Sequence, residues 1–229
     1  MQLENPLIEL HDVSKVYQLD KNRSVSAVKG INLRVDAGEF FVITGRSGCG
    51  KTTLLNLISG LTNPTTGRVL LDQIEVWKLP DFEQSLMRNK RIGFVFQFPS
   101  LMPSLTALEN VILPTIVERS NDQASVRERA ENLLAEVGLA DKIDSYPRQL
   151  SAGQQQRVVV ARSLINHPEL LLADEPTSNL DEQTELEIMA LFRQIHQQRG
   201  ITILLVTHTI ELVPYGTHAM RMAGGKIVS

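Results

Sequence analysis

The sequence predicts an α/β fold in which a mainly parallel sheet is covered by helices on both faces. Three observations predict it. Short, almost wholly apolar runs at residues 40–43 (FFVI), 170–173 (LLLA) and 201–206 (ITILLV) alternate with longer helical patterns. The first of these runs feeds a glycine-rich loop, GRSGCGKTT at 45–53, which opens directly into an apolar helix. Finally, 229 residues with 42% apolar and 21% charged side chains suit one large domain, or a core with a sizeable insertion.

In chain order, residues 6–13 and 27–35 read as strands, and the Asp36-Ala37-Gly38 turn leads into the strand at 40–43. A helix is expected over 54–58, a hairpin strand pair over 67–76 and a buried strand over 92–96. Gln97 ends that strand and opens FQFPSLMPSLTALENVILP, whose Pro99, Pro103 and Pro114 exclude one long helix. Thr106 with Glu109 forms a capping box for a helix over 107–113. Residues 125–137 form an amphipathic helix stopped at Gly138, so 98 to about 150 read as a helical insertion. The core resumes with a helix over 154–166 closed before Pro168. A strand at 170–173 then ends in Asp174-Glu175, a helix covers 182–199, and a strand at 201–206 ends at Thr207-His208.

Composition narrows the chemistry. A net charge of −3 without a long Lys/Arg run gives no electrostatic footprint for nucleic acid. No uninterrupted apolar stretch approaches the ~20 residues of a membrane-spanning helix. The start MQLENPLIEL lacks a charged-then-apolar signal segment, and the single Cys49 excludes an intrachain disulfide; both fit a cytoplasmic protein. Cys49 lies in the glycine-rich loop, where N–H dipoles and Lys51 favour a thiolate, but a small residue filling a variable slot is the simpler account. His11, His167, His196 and His218 have no metal-ligand spacing and read as surface or turn residues.

The loop satisfies G-x-x-x-x-G-K-[ST] in full: Gly45, Arg46, Ser47, Gly48, Cys49, Gly50, Lys51, Thr52, then Thr53. Its backbone N–H groups and the new helix end cradle phosphates, Lys51 places a cation on the outer two, and the Thr52 hydroxyl ligates Mg²⁺. The site is one for a nucleoside triphosphate. Asp174 is placed to hold Mg²⁺ as the partner of Thr52, and Glu175 to accept a proton from the attacking water. Leu150-Ser151-Ala152-Gly153-Gln154 puts a Ser and a Gly at a helix mouth, a second anion site; two such sites suggest one ATP shared between two copies. Tyr17 reads by spacing alone as a half-buried strand tyrosine rather than a platform for adenine. Exposed apolar candidates at Phe98, Leu101 and Met102 fit either a docking groove or packing of the insertion.

Together these residues resemble the ATP-binding subunits of ABC transporters, along essentially the whole chain. In order they are Tyr17, the phosphate loop, Gln97, LSAGQ at 150–154, LLLADE at 170–175, SNLD at 178–181 and His208. The resemblance implies a P-loop NTPase core with an N-terminal antiparallel β subdomain and an inserted α-helical subdomain. As a single domain over 1–229, its core would span 1–97 and 155–229, and its helical part, about 98–154, would carry the signature motif. It implies ATP and Mg²⁺ as ligands and a head-to-tail homodimer formed on ATP, with Ser151, Gly153 and Gln154 of one copy closing on the other's phosphate loop. Tyr17 would then stack on adenine, Gln97 would meet Mg²⁺, Glu175 would be the base, His208 would contact the γ-phosphate, and Asp181 would link the two sites. Passages such as QFPSLMPSLTALENVILP, LSAGQQQR and ADEPTSNLD are similar to the lipoprotein-release and macrolide-efflux branch, which includes glycolipid exporters. This implies a separately encoded membrane permease with periplasmic or membrane-fusion components, and a place on the cytoplasmic face of the inner membrane. The same engine also serves cell-division control; soluble relatives acting on DNA or ribosomes carry insertions that this chain lacks, and a P-loop kinase would leave LSAGQ unexplained. Three positions depart from the family pattern. Ala152 replaces a glycine, where a methyl disfavours positive φ; Thr209 replaces an Asp after the histidine; and Cys49 implies sensitivity to thiol reagents.

Overall fold

Residues 6–20, 22–118 and 123–228 are described by the computed structural model. The chain runs β1 (Ile8–Asp20), β2 (Arg23–Val35), β3 (Phe40–Thr44), α1 (Lys51–Ile58), β4 (Thr66–Leu71), β5 (Ile74–Glu75), α2 (Asp81–Arg91) and β6 (Ile92–Val95). It continues through α3 (Ala107–Ile112), α4 (Gln123–Glu136), α5 (Ala152–Leu164), β7 (Leu170–Asp174), α6 (Glu182–Arg199), β8 (Thr202–Thr207), β9 (His218–Ala223) and β10 (Lys226–Ile227).

Two sheets result. One is antiparallel, in the order β2-β1-β4-β5; the other has the order β10-β9-β3-β8-β7-β6 and is parallel from β9 to β6. The central strands are apolar throughout because both of their faces are buried. Phe40 and Val42, Leu171 and Ala173, and Ile203 and Leu205 point into a core shared with α3, α4, α5 and α6. Their neighbours Phe41 and Ile43, Leu170 and Leu172, and Leu204 and Val206 point into a second core, shared with α1 and the antiparallel sheet. Each fully buried Leu, Ile or Phe stabilises the fold by about 1.5–3 kcal/mol.

The parallel arrangement decides where chemistry can occur. The carboxyl ends of β3, β6, β7 and β8 all face one edge, so the segments after Thr44, Val95, Asp174 and Thr207 converge there. Between β6 and α5 the described residues form loops, short helical turns and the helices α3 and α4, with no strand. The Thr106–Glu109 capping box forms as expected, with Glu109 N–H donating to Thr106 Oγ1 at 3.2 Å and Thr106 N–H to Glu109 Oε2 at 2.8 Å.

Several boundaries differ from the sequence expectation. β1 and β2 are each 13 residues long, extending through polar residues that face solvent along an antiparallel ribbon. Helix α5 starts at Ala152, two residues before the expected 154, directly after its N-cap Ser151. Helix α2 and the β9–β10 hairpin had no predicted counterpart. In α2 only Gln84 and Met87 are buried, which leaves little apolar periodicity to read.

His196, expected at the surface or in a turn, instead meets Phe40 edge-on with ring centroids 5.7 Å apart. Its Nδ1 is buried without a hydrogen-bond partner among the described residues. Burial pushes its pKa below the ordinary 6.5, and burial does the same first to His167, helped by Arg129 and Arg199. A depressed folded pKa means that the neutral ring's contribution is complete above about pH 6.5 and is lost as pH falls through the folded value. His196→Phe is therefore expected to lose less stability than the parent between pH 7 and pH 5 in urea melts. Identical losses would remove His196 as a titrating group.

Candidate active site

Strand β3 ends at Thr44, and Gly45 N–H donates to Thr207 O of the neighbouring β8 at 3.2 Å, which pins the loop's entry. A turn closed by Cys49 N–H to Arg46 O at 3.2 Å then delivers Gly50 as the N-cap of α1, at φ 107°. Only glycine suits this position. Its φ is positive, and a Cβ there would come 2.2 Å from Ala27 O. A glycine cap brings no side-chain acceptor, so no side chain claims the first amides of α1, and those amides form an anion cradle. Gly45 is equally constrained, since a Cβ would lie 2.4 Å from Met222 O in β9.

Lys51 folds back over this cradle. Its Nζ donates to Gly45 O at 2.8 Å and Arg46 O at 3.3 Å, and it pairs with Glu175 Oε1 at 3.2 Å while only 4% exposed. Glu175 sits one residue beyond β7 at φ 45°, held by its N–H to Val206 O at 2.9 Å. Its second oxygen, Oε2, meets His208 Nδ1 at 2.5 Å. Thr52 Oγ1 donates to Asp174 Oδ1 at 3.2 Å. Burial pushes Asp174 above the ordinary carboxylate range; the Thr52 bond and Lys51 oppose the shift, and Glu175 adds to it.

Gln97 lies exposed two residues past β6, and its main-chain oxygen accepts from Asn179 Nδ2 at 3.3 Å. Two adjoining clefts, of about 350 and 580 Å³, share Ser47, Gln97 and Glu175 in their walls. The smaller also takes Gly48, Gly50, Lys51, Thr52 and Thr53; the larger takes Gly45, Arg46 and His208. The structure thus brings together the phosphate loop, Gln97, Asp174, Glu175 and His208.

The other predicted residues stand apart. Ser151, Gly153 and Gln154 line neither cleft, although that end of α5 is fully formed. Ser151 Oγ accepts from Gln154 N–H at 3.2 Å while Ser151 N–H donates to Gln154 Oε1 at 2.9 Å. Tyr17 is paired across the ribbon with Val25, a cleft residue, and has Lys15 Nζ 5.1 Å from its ring centroid. Asp181 caps α6, with both carboxylate oxygens taken by Thr184.

The departures from the family pattern resolve as follows. Ala152 is the first residue of α5 and is not among the positive-φ residues, so its methyl meets no backbone penalty. Thr209 N–H donates to Thr207 Oγ1 at 3.0 Å, which shapes the turn carrying His208. Cys49 is 8% exposed, so its sulfur is largely closed to reagents.

Sequence reasoning missed the support behind the phosphate loop. Gly225 N–H donates to Cys49 O at 3.1 Å, and Lys29 N–H donates to Gly225 O at 2.8 Å. The Gly224-Gly225 pair after β9 was the available signal, both residues lying at positive φ.

A metal bound here would find the Asp174 carboxylate beside the Thr52 hydroxyl, while the oxygens of Glu175 are engaged by Lys51 and His208. Among the described residues no group of three or more His, Cys, Asp and Glu is arranged around a metal position. That donor set suits Mg²⁺, which keeps several waters and takes most of its remaining ligands from phosphates.

Known proteins resemble this chain in sequence and fold. The family model described as "ABC transporter" matches residues 28–178. The macrolide export ATP-binding/permease protein MacB of Rhodopirellula baltica is 46% identical over 224 residues; the match covers 96% of this chain but 32% of that protein. The lipoprotein-releasing system ATP-binding protein LolD of Geobacter metallireducens is 44% identical over 226 residues, covering 97% of this chain and 98% of that one. Among solved structures, the ATP-binding cassette MJ0796, dimeric in a post-hydrolysis state with ADP and Pi, superposes with a TM-score of 0.89. It is 40% identical, with 97% of each chain covered. The chain belongs to the ABC transporter family, as an ABC-type ATPase of the LolD and MacB type.

Proposed function

We propose that this ATPase hydrolyses ATP at sites shared between two head-to-tail copies, and that closure of the pair drives a separately encoded membrane subunit that exports or extracts an amphiphile. The observation that carries the shared site is the placement of α5. Its Ser151 end is a fully formed helix N-terminus, yet it belongs to neither cleft of its own chain. A second copy would supply it. The dimeric state of MJ0796, captured with ADP and Pi, supports this reading.

In the proposed reaction the amides of residues 45–53 and Lys51 hold the phosphates of ATP, with Tyr17 against the adenine. Mg²⁺, held by Thr52, Asp174 and Gln97 together with the phosphates, would neutralise charge on the β- and γ-oxygens. Glu175 accepts a proton from water as the water oxygen bonds to the γ-phosphorus. The bond to the bridging oxygen breaks, and ADP leaves with that electron pair. His208 orients the Glu175 carboxylate through Nδ1 and stands next to the γ-phosphate. Ser151, Gly153 and Gln154 of the other copy close the site, exclude water and add oriented donors, while Asp181 connects the two sites.

The proposed division of the chain is a core of 1–97 and 155–229, with a helical subdomain at about 98–154. At their junction Phe98 and Met102 are 64% and 48% exposed, whereas Leu101 packs on the core. Arg162 Nη1 donates to Ser100 O at 2.9 Å and so holds the loop from α5. We assign this apolar lip to contact with the membrane subunit. Among the described residues no helix is long and apolar enough to cross a membrane; the assigned contact with a membrane subunit would hold the chain peripherally, on the cytoplasmic face. The likeness to a lipoprotein-releasing and a macrolide-export protein supports an amphiphilic cargo, and we place periplasmic or membrane-fusion components in the same assembly.

Mixing Ser151→Arg with Lys51→Ala chains tests the shared site. A mixed dimer would hold one doubly damaged and one intact site, so activity absent from each pure variant is expected to return on mixing. Mixed dimers that form but stay inactive would overturn the proposal.

A further inference from the structure

Helices α5 and α6 begin side by side, and one threonine touches the functional end of each. Gly153, in the first turn of α5, is buried, and a Cβ there would come 2.4 Å from Thr184 Cγ2. Thr184 is the third residue of α6. Its N–H donates to Asp181 Oδ1 at 3.0 Å and its hydroxyl to Asp181 Oδ2 at 2.7 Å. A β-branched side chain is stiff at χ1, so fixing the hydroxyl on Asp181 also fixes the methyl against Gly153. The Thr184 hydroxyl and then its N–H hold the Asp181 carboxyl below its ordinary range.

The surroundings hold this start of α6 in place. Thr177 Oγ1 donates to Glu185 Oε2 at 2.6 Å, tying the preceding segment to the same turn. Further along, Arg157 of α5 pairs with Glu187 of α6 at 2.9 Å, so the methyl contact sets the spacing at the helix starts and the ion pair holds the next turn.

We propose that Thr184 is a positioning residue whose methyl and hydroxyl lock residues 151–153 of α5 to Asp181, so that the two segments facing a neighbouring copy move as one. This rests on the shared-site reading above. A residue that positions groups for the reaction, without touching ATP, acts on turnover rather than on nucleotide binding to the separate chain.

Two substitutions separate the two contacts. Thr184→Ser keeps the hydroxyl and removes the methyl; Thr184→Val keeps the shape and removes the bond to Asp181. Each is expected to lower kcat about tenfold while leaving the ADP affinity of the separate chain unchanged. Mixed dimers purified through two different tags then locate the effect. With Thr184→Ser and Lys51→Ala in one chain and the partner unaltered, the altered α5 faces the only working phosphate loop, and kcat falls about tenfold below that of a Lys51→Ala/unaltered dimer. With Thr184→Ser in one chain and Lys51→Ala in the other, the altered α5 faces the disabled loop, and kcat matches that reference. Equal loss in both arrangements, or loss in neither, overturns the role of Thr184. Failure of the shared site itself would show separately, as an inactive Ser151→Arg/Lys51→Ala dimer.

Discussion

Glu175→Gln is expected to leave ATP bound, cut turnover by at least about a hundredfold and let closed dimers accumulate. The amide has nearly the shape of the carboxylate, but it cannot take the proton of an attacking water, and a general base contributes about 10²–10⁴ in rate. In the folded chain the carboxylate is held from both sides, by Lys51 at 3.2 Å and His208 at 2.5 Å. The substitution releases Lys51 from its ion pair without emptying the pocket, so the cation is fully available to phosphate. Steady-state phosphate release, combined with size-exclusion chromatography in ATP and Mg²⁺, measures both effects. Undiminished turnover would remove Glu175 as the base.

Lys51→Ala is expected to weaken ATP and ADP binding by about a hundredfold. A charge-assisted hydrogen bond contributes about 1.5–3 kcal/mol, and each 1.4 kcal/mol is a factor of ten in affinity. The loss is compounded because Glu175 then faces the phosphates without its cation. Lys51 is 4% exposed, so Ala also leaves a gap and an uncompensated carboxylate. Lys51→Met fills most of that gap and separates charge from volume. Titration calorimetry on both variants should show the same loss of affinity, with Met recovering part of the melting temperature. Tight nucleotide binding by Lys51→Met would place the binding energy in the loop amides alone.

The central sheet was legible because its strands must be apolar on both faces, and Phe40 to Ile43 or Leu204 to Val206 admit no other environment. The phosphate loop was legible because its geometry tolerates few residues: Gly45 and Gly50 have backbone carbonyls at 2.4 and 2.2 Å from any added Cβ. Helix α2 was hidden, since its buried face is reduced to Gln84 and Met87. At Ala152 the family pattern led to an expected strain that the helix removes by starting one residue after Ser151. Spacing alone could not show that Thr184 bridges Gly153 and Asp181. That contact depends on how two helices far apart in sequence meet, information that no local period carries.

The C-terminal hairpin gives the fold an order in time. Residues 45–53 contain the complete phosphate-binding pattern, yet their backbone rests on Met222 and Gly225, and the latter holds both Cys49 and Lys29. Synthesis delivers the loop early and its support late. A nascent chain stalled anywhere between the two displays every recognisable glycine of the motif without the strand that closes off its far side. Nucleotide capture is therefore expected to require β9 docked beside β3, and a chain truncated before β9 to bind ADP more weakly than the full chain in calorimetry.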